Sequence, residues 1–358
     1  MIGGGLAKMK LRWREGAVLI CLTITLVLPF QALAEGVERS NSLKVEGAYY
    51  FDNNEGYGVS DGGFAPISYS SVEPTGFTPI GNDQGRKLGS GWGSAKIQVL
   101  LNHTVKMPYL TGPGPLTSEN NLAFSITGAL TPVSTRFELE TTLTPIAFLN
   151  VYAGIMLGTG WDIGLFNGMG LNADGSGEPE SASFQGVVTN LWIGGTVQFD
   201  LAALVPGDWT HVVIFLSPKL QYACFSGADK EEAWMWEADN GENFNGFKFF
   251  GSYFLGYQMP LILDTVGILL ETERNLGYVK DLSPKGAGGW GSDFVTITVG
   301  PVLNFTLSEK SSLAVLIQFR RERLYAEPNI FANYYKNRSY IGTYWYLRSV
   351  AFSYSLNL

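Results

Sequence analysis

Histidine and cysteine are almost missing from this 358-residue chain, which holds two of each. Acid–base and nucleophilic catalysis lean on positioned groups of that kind, so their scarcity argues against an enzyme before any motif is sought. Cys21 falls in an N-terminal apolar run, and Cys224 is the one cysteine beyond it, so the remainder of the chain has no pair for an internal disulfide. Basic clusters are missing too beyond residue 34. With 24 basic against 32 acidic side chains the formal net charge is −8, which argues against nucleic acid as a partner. Beyond residue 34 no apolar stretch approaches the ~20 residues of a membrane-spanning helix. Neither heptads nor 3.6-residue stripes recur.

What is present begins with residues 1–34. Lys8, Lys10, Arg12 and Arg14 form a basic head, an apolar run covers 17–30, and Gln31-Ala32-Leu33-Ala34 follows. That order reads as a secretory signal peptide, with cleavage expected after Ala34. Cys21 follows the bulky Ile20, which disfavours a lipidation site. The chain is therefore expected to be exported, with 35–358 forming one domain.

In that domain, apolar and polar residues alternate with a period of two over segments of about ten residues, the pattern of a transmembrane β-barrel. Residues 350–358 show it best: Val350, Phe352, Tyr354, Leu356 and Leu358 share one face, and Ala351, Ser353, Ser355 and Asn357 the other. Segments 294–305, 183–201 and 96–107 repeat the pattern. Weaker runs at 42–52, 121–130, 133–143, 146–158, 210–225, 246–258, 262–275 and 312–324 bring the total to twelve. Short turns near Thr144-Pro145, Pro206-Gly207-Asp208, Met259-Pro260 and Ser308-Glu309-Lys310 alternate with long loops at 159–182, 226–245, 276–290 and 325–340, after an earlier long loop at 53–91. Short periplasmic turns and long external loops alternate in this way in outer-membrane barrels. Two connections break the rule, a short external turn at Thr131-Pro132 and a long periplasmic one at Gly112-Pro113-Gly114-Pro115, so ten or fourteen strands also fit.

On these features the chain resembles bacterial outer-membrane β-barrel proteins, porin-like in pattern. The resemblance implies an all-β, antiparallel up-and-down transmembrane barrel in the bacterial outer membrane. Its partners would be outer-membrane lipids, the barrel-assembly machinery and small solutes. Phe352, Tyr354, Leu356 and Leu358 match the terminal insertion signal that this machinery reads, although many members end in Phe instead of Leu.

Few residues carry other chemistry. His103 shares the lipid phase of Leu101 and Val105, and His211 the lumen phase of Ser217 and Lys219; neither sits where a His with Ser or Asp would serve an external active site. No catalytic residue is assigned. Residues 172–178 and 239–242 look like pieces of calcium loops but lack the full spacing, and turn chemistry explains their Asn, Asp and Gly. No metal and no cofactor is expected.

The lumen phase holds Lys96, Lys106, Arg136, Glu138, Glu140, Lys219, Lys248, Glu271, Glu273 and Arg320. Charges on a barrel wall set which solutes pass, so a passive channel for small hydrophilic solutes is the leading expectation. An adhesin acting through Trp234, Trp236, Tyr334 and Tyr335 on external loops is the alternative, with Glu231, Glu232, Glu237 and Asp239 read as acids of the same exposed loop. A fatty-acid type uptake channel is a further one. Small lumen positions such as Gly154, Gly158 and Gly194 either leave a channel open or let a loop pack inside.

Overall fold

The computed structural model describes residues 36–50, 95–163, 168–171, 180–237, 243–326 and 339–358. The proposed signal peptide, the 53–91 loop, segments 172–178 and 239–242, and Tyr334 and Tyr335 lie outside the described residues. The chain divides into two units, Met1–Glu38 and Arg39–Leu358; of the first, only 36–38 are described.

Strands account for most of the second unit: β1 (Glu38–Tyr50), β2 (Ala95–Pro108), β3 (Asn121–Thr131), β4 (Ser134–Ile146), β5 (Leu149–Gly160), β6 (Met169–Leu171), β7 (Glu180–Ser181), β8 (Val188–Asp200), β9 (Val212–Phe225), β10 (Trp234–Trp236), β11 (Gly246–Gln258), β12 (Leu263–Asn275), β13 (Val295–Ser308), β14 (Ser311–Tyr325) and β15 (Tyr340–Asn357). The long ones close into one barrel, ordered β1-β15-β14-β13-β12-β11-β9-β8-β5-β4-β3-β2. Chain neighbours are sheet neighbours throughout, so the barrel is up-and-down and antiparallel, with twelve strands. One difference from the sequence reading is β15, which begins at Tyr340 and not near 350. Another is β8, which starts at Val188; the residues from 183 that seemed part of it form a turn.

Alternation decides which side each residue faces. Phe137 and Leu139 are 45% and 41% exposed on the outer face of β4, in phase with Ile97, Val99 and Leu101 on β2 and Leu157 on β5. Their neighbours Arg136, Glu138 and Glu140 point to the lumen. The outer surface is thus apolar and the inner one polar, the reverse of a water-soluble barrel. Closure pairs β1 with β15 from Ser42↔Asn357 to Tyr50↔Ser349, which leaves no strand edge unpaired in apolar surroundings.

The loops that follow β5 and β9 do not stand free. From them β6, β7 and β10 make a separate sheet, ordered β10-β6-β7. Trp234, Met169 and Ala182 of these loops pack with Met156, Val188, Ala223 and Phe225 of the barrel wall. Asn245 fixes the base of the β9–β11 loop. Its Oδ1 accepts from Phe225 N (2.7 Å) and Trp234 Nε1 (3.0 Å), and its Nδ2 donates to Phe225 O (3.2 Å) and Ala228 O (3.0 Å). A second cluster of Phe244, Val279, Trp290 and Tyr325 covers the same end of the barrel, around helix α1 (Gly277–Asp281).

The two connections that broke the alternation rule lie at opposite ends of the barrel. At the covered end, other loops lie over the short β3–β4 turn. Val133 is buried, Trp161 Nε1 donates to Pro132 O (2.8 Å), and Trp161 N donates to Val133 O (2.8 Å). At the opposite end the long 109–120 connection folds on itself, with Tyr109 N donating to Asn120 O (3.2 Å) and Asn120 Nδ2 to Leu110 O (2.8 Å).

The outer belt makes a direct prediction. A cation facing lipid near mid-membrane costs about 2–4 kcal/mol. Phe137→Arg and Leu139→Arg should each slow or abolish folding into lipid vesicles, read as loss of the heat-modifiable gel band. Wild-type folding in both variants would mean that this face does not meet lipid.

Candidate functional site in the lumen

The lumen holds a cavity of about 710 Å³ that runs from Glu237 at the loop end toward Thr142 and Asn150 near the β4–β5 turn. Lys96 comes from β2; Arg136, Glu138, Glu140 and Thr142 from β4; Asn150, Tyr152 and Met156 from β5. Asn190, Trp192 and Thr196 come from β8, Lys219 and Gln221 from β9, and Trp236 and Glu237 from the β9–β11 loop. Register places these groups side by side: Arg136↔Gly158 and Glu140↔Gly154 across β4 and β5, then Gly154↔Trp192 across β5 and β8. The small wall residues make room for large ones. A Cβ on Gly154 would lie 2.4 Å from the Trp192 ring, and one on Gly158 2.7 Å from the Trp236 ring. Gly158 therefore admits a side chain of an inserted loop, and Gly154 a side chain of the wall itself.

Glu237 is the centre of the charge arrangement. It is 5% exposed, yet it sits on a loop and not on a barrel strand. Its Oε1 accepts from Ser134 Oγ (2.7 Å) and Arg136 Nη1 (3.1 Å), and its Oε2 from Lys96 Nζ. These partners stand on β2 and β4, far around the barrel from β9 and β11, so the loop crosses the mouth to reach them. Glu237 also holds φ at 52°, a left-handed backbone that costs a non-glycine residue on the order of 1–3 kcal/mol and persists only where surroundings enforce it. Burial alone would push the Glu237 carboxyl up. The charges of Lys96 and Arg136 and the hydrogen bonds from Lys96 and Ser134 outweigh it and hold the group below the usual carboxylate value.

Other wall charges are tied into pairs. Arg136 Nε donates to Glu138 Oε1 (2.8 Å) and its Nη1 to Gln98 Oε1 (3.0 Å). Trp192 Nε1 donates to Glu140 Oε2 (2.9 Å). Lys248 pairs with Glu273 (2.9 Å), Gln318 Nε2 donates to Glu271 (2.9 Å), and Arg320 pairs with Glu322 (2.9 Å). Lys219 lies over the Phe250 ring, 4.7 Å from its centroid. Lys106 shares the face of Lys96 on β2, toward the opposite end. Asn190 Oδ1 is buried with no donor among the described residues.

The expectation that Trp234 and Trp236 are exposed loop contacts is corrected. Trp234 is 2% exposed and packs on Phe225, with ring centroids 6.0 Å apart, and Trp236 lines the cavity. Apolar rings leave water when a wall notch such as Gly158 will take them. Glu237, read from sequence as one acid of an exposed loop, is a lumen residue for a different reason, since Lys96, Ser134 and Arg136 on the wall pair with its carboxylate. Glu322 and Trp192 also escaped notice. Alternation places both on the inner faces of their strands, which is the signal that would have found them.

Away from the cavity, His103 Nδ1 lies 2.8 Å from Asn41 Oδ1, and His211 Nδ1 2.6 Å from Asp200 Oδ2 at the turn end. The His211–Asp200 pair spans a loop, so spacing alone did not suggest it. Phe352 and Leu358 are exposed, and Tyr354 and Leu356 partly so, along the outer face of β15 and just past its end.

No family model matches the chain, and no curated protein does either. Among solved structures it is similar to a KdgM porin (8% identity, TM-score 0.35, covering 88% of this chain and 99% of that one). It is also similar to the beta domain of the Bordetella autotransporter Brka (8%, 0.38, 89% and 99%). A third likeness is to the outer membrane channel DcaP of Acinetobacter baumannii (7%, 0.32, 90% and 97%).

The Glu237 clasp sets an acid limit. Its carboxyl is depressed in the folded protein, so the stability it adds is complete above the ordinary carboxylate range and falls away as pH drops through the lower folded value. Acidification should release the loop and shift tryptophan fluorescence in the wild type. Glu237→Gln should show no such step. An identical acid step in both proteins would assign it to another group.

Proposed function

We propose that this chain is a bacterial outer-membrane channel through which small hydrophilic solutes pass passively. One observation carries the reading: a closed barrel with an apolar exterior encloses a cavity lined by cations, carboxylates and amides. An apolar exterior suits lipid, and a polar lumen suits hydrated solutes. Asn190 Oδ1 supports the same view, since a buried acceptor with no donor among the described residues suits water or a solute hydroxyl. Export through residues 1–34 and recognition of Phe352, Tyr354, Leu356 and Leu358 by the barrel-assembly machinery belong to this proposal.

The cavity lining disfavours fatty-acid uptake, because burying charged and amide groups against an acyl chain is costly. An adhesin built on Trp234 and Trp236 has lost its exposed contacts. Because the β9–β11 loop contributes Trp236 and Glu237 to the lumen, loop and channel act as one unit.

Planar bilayers test the proposal. Purified protein should give discrete conductance steps, and Glu138→Gln and Glu140→Gln should keep assembly while moving the reversal potential away from cation preference. Correctly folded protein that never conducts would overturn the transport reading.

A further inference from the structure

Glu237 reaches the lumen wall from a loop, and the groups that receive it all belong to strands. Lys96 stands on β2, Ser134 and Arg136 on β4. We propose that Lys96, Ser134 and Arg136 form a carboxylate-binding site for a transported solute, which Glu237 fills in the docked state as a tethered competitor.

The donor set carries the assignment. An ammonium, a guanidinium and a hydroxyl converge on one carboxylate and divide its oxygens. Ser134 Oγ (2.7 Å) and Arg136 Nη1 (3.1 Å) take Oε1, and Lys96 takes Oε2. Nothing in that chemistry distinguishes a side-chain carboxylate from a solute's, because charge-assisted donors read the group and not its chain. The donors are held by paired strands, Ser134↔Thr131 and Arg136↔Ala129 among the pairs, so the site survives departure of the loop. The occupant is the strained partner: Glu237 sits at φ 52°, and leaving relieves a backbone that docking enforces. The adjoining cavity of about 710 Å³ accepts the rest of a small solute. Glu138, hydrogen-bonded to Arg136 Nε at 2.8 Å, fixes the guanidinium so that Nη1 faces the site.

The ligand's being a transported solute rests on the channel reading; the site itself does not. Succinate is the probe and succinamide its uncharged counterpart, both titrated into full-length protein in detergent with tryptophan fluorescence as the readout. A tethered competitor acts at about millimolar effective concentration or above, so Glu237→Ala should lower the apparent succinate dissociation constant at least about tenfold. Succinamide should not bind, and adding Lys96→Met to Glu237→Ala should abolish succinate binding. If Glu237→Ala fails to fold, Glu237→Gln, which keeps the volume, carries the same comparison. Equal affinity in wild type and variant, binding that survives Lys96→Met, or equal binding of succinamide would overturn the site. Parallel bilayer recordings separate the two readings. Binding without conductance sinks the channel and leaves the site, and conductance without binding does the opposite.

Discussion

Closure of the sheet is the constraint on which everything else in this molecule depends. A strand edge in apolar surroundings leaves N–H and C=O groups without partners, at several kcal/mol each. Pairing β1 with β15 removes the edge that the first and last strands would otherwise present. Once the sheet is closed, each residue has two possible destinations, the outer belt or the lumen, and a shift of one residue would exchange them along a whole strand. The sequence has to agree with itself on every strand at once. Phe137 and Leu139 outside, with Arg136, Glu138 and Glu140 inside, show that agreement on β4.

Closure also sets the electrostatics. Wall charges held at fixed angles around a narrow lumen either pair or face water. Most of those described pair, as Lys248 does with Glu273 and Arg320 with Glu322. Lys96 and Arg136 find their shared anion in Glu237, on a loop from across the barrel. The loop is therefore held by its base at Asn245, by Trp236 seated against Gly158, and by the Glu237 carboxylate. Of these, the Glu237 contact is the one a soluble ion can compete for.

Much of the barrel was legible because alternation is a local property. A residue's side of the sheet follows from its parity within the strand, so about twelve strands and the face carrying Arg136, Glu138 and Glu140 emerge without any knowledge of neighbours, although ten or fourteen strands fitted the pattern as well. Strand ends were less legible. The start of β15 at Tyr340 lies in a run where Tyr344 and Tyr346 face inward and stack on each other, with centroids 5.7 Å apart, so aromatic residues fall on both faces and the contrast fades. Loop destinations were not legible. Trp234, Trp236 and Glu237 have the composition of an exposed recognition loop, and nothing nearby in sequence says otherwise.

By itself, then, the sequence determined the class of fold and the polarity of the strand faces, and it put the strand number near twelve with ten and fourteen still open. Fold class and face polarity follow from a period of two that each segment carries within itself; closure of the sheet fixed the count at twelve. Only the tertiary structure decided that the β9–β11 loop enters the lumen and that Glu237 meets Lys96, Ser134 and Arg136. The physical reason is distance along the chain. Glu237 is 141 residues from Lys96 and 101 from Arg136, and no local pattern encodes a contact that exists only after twelve strands have closed around it.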